Sequence, residues 1–178
     1  MRPGRAHGGM HAPVDHFVTD LAFRSATEIA AALRKRRLSA REALDHFLAR
    51  ADRFNRGINA IVAWDVEGAR ARAAAADAAT ARGESWGPLH GLPMTIKDAI
   101  EVVGMATTCG APELREHRAV VNAPAAQRLL DAGAVVFGKT NLPIYAGDFQ
   151  SYNELFGTTN NPWDAARTPG GSSGGSAA

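Results

Sequence analysis

Four segments carry residue types able to do covalent or acid–base chemistry, and all lie in the second half of the chain. Leu92-Pro-Met-Thr-Ile96 reads as a short buried strand that delivers Lys97-Asp98 at its end. A free lysine is protonated in water, with a pKa of about 10.4. Burial favours the neutral amine, which can act as a base, and the apolar strand with its Gly-Leu-Pro entry points to burial of Lys97. Asp98 reads as a solvated charge or a cap. Gly170-Gly-Ser-Ser-Gly-Gly-Ser176 has the composition of a flexible linker. It follows Pro169 and an aromatic stretch (Tyr152, Phe156, Trp163), however, and has no internal repetition. Paired glycines around a serine pair suit a backbone that side chains would obstruct, with hydroxyls presented to a site.

Gly133-Ala-Val-Val-Phe-Gly-Lys-Thr140 fits the phosphate-binding template G-x-x-x-x-G-K-[ST] letter for letter. The chemistry does not follow. A phosphate cradle needs a turn of inward N–H groups leading into a helix. Ala134 to Phe137 belong in a strand, and Pro143 stands where that helix would gain its second turn. Nucleotide binding at 133–140 is the weaker alternative. Cys109, the single cysteine, could be a nucleophile with His90 or His117 as its base. No local signature accompanies it, and a lone Cys beside threonines suits a small core residue.

Helices must position these segments. Ser25-Ala-Thr-Glu28 and Ser39-Ala-Arg-Glu42 are capping boxes that open two helices. Arg34-Lys-Arg-Arg37 closes the first, where cations suit the helix dipole without any polyanionic partner. Leu44, Phe47, Leu48, Ala51 and Phe54 form one apolar stripe along the second. Ile58 to Trp64 reads as extended, and Asp65 caps a third, alanine-rich helix that Gly83 stops. Pro124 to Ala132 suits a helix and Ala134 to Phe137 a buried strand. The expected class is α/β: a mixed sheet covered by helices, with a helical N-terminal part.

Composition narrows the function. Of 178 residues 46% are hydrophobic and 21% charged, a globular composition for one domain. Twenty basic against 18 acidic residues leave +2, so bulk charge recruits neither nucleic acid nor membrane. No apolar run is long enough to span a bilayer. Residues 1–22 read as a flexible tail before a single domain over 23–178. They lack a secretory apolar region, which makes the cytoplasm the expected compartment. His7, His11 and His16 there read as solvated rather than metal-binding. No cofactor is expected, and Met10 is a second candidate start beside Met1.

Gly87-Pro-Leu-His-Gly-Leu-Pro-Met-Thr-Ile-Lys-Asp98, Gly138-Lys-Thr-Asn141, Phe156-Gly-Thr-Thr-Asn-Asn-Pro-Trp163 and Arg167-Thr-Pro-Gly-Gly-Ser-Ser-Gly-Gly-Ser-Ala-Ala178 together resemble the amidase signature family of serine amide hydrolases. The likeness runs from about residue 24 to the last residue. It implies a Ser–Ser–Lys triad in which Lys97 matches the catalytic lysine and Ser172 the bridging serine, after a cis peptide bond. The nucleophilic serine and the oxyanion hole would lie in a second glycine-rich segment that this sequence does not contain. The expectation is an incomplete amidase signature fold, inactive alone, with a non-catalytic truncated remnant as the alternative. A small-molecule amide is the expected partner, and a homodimer stays open for a full-length enzyme. Leu142-Pro-Ile-Tyr145 replaces the Met-Asp-Glu-Phe usual in the glutamine-hydrolysing subunit of tRNA amidotransferases, so the segment looks more like the general bacterial amidases. By that likeness Tyr145 to Phe149 border the acyl pocket, and Ala146 stands where relatives contact substrate.

Overall fold

The structure, a computed structural model, describes residues 21–178; the tail histidines and Met10 lie outside the described residues. Both capping boxes form. Helix α1 (Ala26–Arg34) and helix α2 (Ala40–Ile58) each begin at a serine whose hydroxyl accepts the N–H three residues on, while the returning glutamate binds the serine N–H. Helix α3 (Val66–Ala81) starts at Asp65, whose carboxylate accepts the Gly68 N–H. The basic run after α1 is used within the fold, since the Arg36 guanidinium donates to the Thr80 carbonyl. Leu21, assigned by sequence to the tail, is fully buried in the helical core.

Three strands make a mixed sheet in the order β1 (Ile61–Trp64), β3 (Val135–Thr140), β2 (Pro93–Lys97). Strand β1 runs antiparallel to β3, and β2 parallel to it. Helices α2 and α3 cover one face, where Leu44, Ala69, Ala73, Leu92, Val135 and Phe137 meet. Helix α4 (Pro124–Asp131) covers the other, through Ala126 against Ile96, Val102, Met105 and Val136. The α/β class with helix-covered mixed sheet is therefore the observed one.

Two boundaries differ from expectation. Ile58 ends α2, and Asn59 caps it with a left-handed φ of 56°, so the strand begins three residues later than the β-branched run suggests. The Asn55 side chain makes that turn, accepting the Ala60 and Ile61 N–H groups and donating to the Ile61 carbonyl. Strand β3 runs on through Gly138-Lys139-Thr140, all buried. Gly138 permits this, because a Cβ there would sit 2.8 Å from the Ile61 side chain and 3.0 Å from the Ala63 carbonyl. The register also steps at Met94/Thr95, whose partners are Val136 and Gly138, leaving Phe137 as an extra residue. Such a bulge changes which face the following side chains take.

Candidate active site

The end of β2 and the Gly/Ser segment meet. Gly171 to Ser173 form a bend, and Gly174–Ala177 make one short helical turn, α5. Ser151 holds the bend: its fully buried hydroxyl donates to the Gly170 carbonyl and accepts the Gly174 N–H. The Gly175 N–H donates to the Asn141 carbonyl at 3.2 Å, and Ser176 and Thr140 share a hydrogen bond of 2.7 Å. Gly171 is required by close approach. A Cβ there would meet the Phe149 carbonyl carbon at 2.7 Å and the Gln150 N and O at 2.8 Å, all backbone atoms that cannot swing away. The Gly171–Ser172 peptide bond is cis.

This bend sets Ser172 over Lys97. The Lys97 Nζ lies 2.7 Å from Ser172 Oγ and 3.0 Å from Ser173 Oγ. Lys97 is half-buried rather than fully enclosed. Its desolvation pulls the amine below the ordinary lysine range, against an opposing pull from the Cys109 sulfur. Among the described residues no carboxylate ion-pairs with Lys97. An amine with lowered proton affinity and two hydroxyl neighbours can receive a proton from either serine.

Asp98 corrects the sequence reading. It is neither solvated nor a cap but fully buried, on Thr108: it accepts the hydroxyl at 2.5 Å and the N–H at 3.2 Å. Lys139, the lysine of the phosphate-loop look-alike, lies 3.8 Å from the Asp98 carboxylate and is fully buried too. Burial drives the Asp98 carboxyl up and the Lys139 amine down, and each charge opposes the other's shift. A strand with six buried residues offers no N–H cradle, so residues 133–140 are not a phosphate loop. Sequence reasoning missed this pair and also Ser173. A usable signal existed, because only three of the 20 Lys and Arg residues are lysines, and two of them fall in the last two positions of these neighbouring strands.

Cys109 is not paired with either histidine. His90 accepts the Trp86 N–H and contacts Thr80 and the Ala76 carbonyl, and His117 pairs with Glu101. Burial, then Asp98, push the Cys109 thiol up, the reverse of what a nucleophilic thiol needs. Cys109 acts as a strut instead. Its N–H reaches the Asp98 carbonyl at 3.1 Å, and its own carbonyl accepts the Tyr145 N–H at 2.8 Å. Tyr145 and Ala146 take left-handed φ of 50° and 58°, and the Tyr145 hydroxyl donates to Glu113. Ala146 is half-buried in this strap, one residue beyond the strut. No cluster of three or more metal-ligating side chains occurs among the described residues, and no described helix is long and apolar enough to cross a membrane.

The Amidase family model matches residues 42–178. The glutamyl-tRNA(Gln) amidotransferase A-subunit of Acidothermus cellulolyticus is 42% identical over 161 residues, covering 90% of this chain and 32% of that protein. A crystal structure of an amidase aligns with a TM-score of 0.78 at 37% identity, covering 85% of this chain and 35% of the other. Fatty acid amide hydrolase aligns with a TM-score of 0.83 at 26% identity, covering 93% of this chain and 29% of the other. The chain thus spans about a third of the length of the curated relatives it matches. Residues 142–145 read away from the tRNA amidotransferases, yet a relative of high overall similarity is one of them, so that local departure sits inside a closely shared framework. With the sheet, the glycine-rich bend and the matched span in agreement, this chain belongs to the amidase family.

Proposed function

We propose that this chain carries the proton-relay part of a serine amide hydrolase acting on linear amides. Neutral Lys97 takes the proton of Ser172, and Ser172 takes that of a nucleophilic serine supplied by a second glycine-rich segment. That serine adds to the amide carbonyl to form a C–O bond. The C–N bond then breaks as the relay returns the proton to the departing amine, and water hydrolyses the acyl-enzyme to the carboxylate. The single observation that carries this reading is the 2.7 Å contact between Lys97 Nζ and Ser172 Oγ. The lowered proton affinity of Lys97 agrees with it. No metal or organic cofactor has a role in these steps.

The amide itself is a carboxamide whose acyl group lies along the strap from Tyr145 to Phe149, with Ala146 as a contact. Support comes from the strap's two anchors, Cys109 at one end and the Gly171 bend under Phe149 and Gln150 at the other. Hydrolysis of such a small amide is assigned to the cytoplasm. With Ser172 as the relay and Ser173 beside the same amine, neither serine is the nucleophile, and both are expected to stay unlabelled by a serine-reactive fluorophosphonate. Mass spectrometry of the treated chain checks this, and stoichiometric adduct on Ser172 or Ser173 would overturn the assignment of a relay rather than a nucleophile.

A further inference from the structure

Lys97 and Lys139 stand on neighbouring strands one register step apart, with Lys97 opposite Thr140 and Ile96 opposite Lys139. Side chains alternate along a strand, so the two lysines leave the sheet on opposite faces. Lys97 meets serines. Lys139 is sealed on the far face, donating to the Ile100 carbonyl at 2.5 Å and to Thr107 Oγ1 at 2.9 Å, beside Asp98. Asp98 directly follows Lys97 and is fixed at every polar group. Its N–H donates to the Thr140 carbonyl at 3.0 Å, its carbonyl accepts Cys109, and its carboxylate accepts Thr108.

A buried ion pair is poor value as core packing, since apolar residues of similar volume commonly serve as well. This one sits under the residue that needs fixing. We infer that the Asp98–Lys139 pair is a positioning device for Lys97: it clamps the end of β2 from the far face, so that the Lys97 amine stays held and desolvated against Ser172 and Ser173. The inference rests on the reading of Lys97 as the base, and neither Asp98 nor Lys139 touches the reacting atoms. The titratable groups acting on these three side chains, beyond one another, are Cys109 on Lys97 and on Lys139, and Glu101 on Lys139.

The test uses the full 178-residue chain with 13C-labelled lysine. Its three lysines give three side-chain signals, assigned through Lys35→Gln and Lys97→Met. The Lys97 midpoint is expected below the ordinary lysine value and should rise by about one pH unit, tenfold in proton affinity, in Lys139→Met as the loosened strand end lets water in. Thr107→Val, which removes one Lys139 acceptor and decides the matter if Lys139→Met does not fold, should move it the same way by less. Leu44→Ala, which weakens the opposite core, should leave it in place. A low Lys97 midpoint that ignores both Lys139→Met and Thr107→Val, or that moves equally in Leu44→Ala, overturns the positioning role alone. An ordinary midpoint in the unsubstituted chain overturns that role together with Lys97 as the base.

Discussion

Replacing Lys97 by Met is expected to cut kcat/KM for amide hydrolysis by about 10²- to 10⁴-fold, the usual contribution of a positioned general base. The measurement needs a complete enzyme, so residues 42–178 would replace the matching segment of the Acidothermus cellulolyticus protein that shares 42% identity. Met keeps the length and apolar stem of Lys97 but cannot take a proton. The pH profile gives a second reading of the same change. Burial disfavours the ammonium, which lowers the Lys97 midpoint, and the neutral amine is the working form. Activity is therefore lost as pH falls through that lowered midpoint and retained above it. This limb should vanish in the Lys97→Met chimera, leaving a low rate that no longer follows the lysine.

Lys139→Met is expected to lower the unfolding free energy of the 178-residue chain by about 3–5 kcal/mol, because it leaves the Asp98 carboxylate buried without its cation. Both partners are fully buried, so solvent does little to soften the loss. Chemical denaturation measures it directly. The pH dependence has a definite sign. Burial already raises the Asp98 carboxyl above its ordinary value, and removing Lys139 raises it further. A group whose folded pKa is raised binds its proton more tightly in the folded state, so folding gains stability as pH falls toward the ordinary carboxyl range. The deficit of Lys139→Met should accordingly shrink at acid pH and be widest at neutral pH and above. Replacing Asp98 as well, in Asp98→Leu/Lys139→Met, should recover much of the loss because no unpaired charge then remains.

Local chemistry makes most of the frame legible in the sequence. Ser25, Ser39 and Asp65 each begin a helix through hydrogen bonds that span only three residues, so their types and spacing suffice. The short strands follow from apolar runs bounded by Gly and Pro. The start of β1 is hidden because Ile58 looks like its strand neighbours, whereas Asn59 and Asn55 close the helix through bonds that composition does not reveal. Lys97 and Ser172 stand out through the family resemblance, and the fold brings them together from 75 positions apart.

The Asp98–Lys139 pair is illegible for a physical reason. The bulge at Phe137 moves Lys139 off the face occupied by Val135 and Phe137 and onto the side of Ile96 and Val136. Its partners Ile100 and Thr107 come from a loop whose path no local pattern specifies. Ser173 is visible as a serine, but its reach to Lys97 depends on how the bend turns at Gly171.

One experiment bears on the proton path itself. In the chimera, Lys97→Met and Ser172→Ala are made singly and together, and kcat/KM is compared for the four proteins. Two groups on one relay fail as a unit, so the double substitution should cost about as much as either single one. Costs that multiply, or a Lys97→Met enzyme that hydrolyses its amide at the unsubstituted rate, would contradict a proton passing from Ser172 to Lys97.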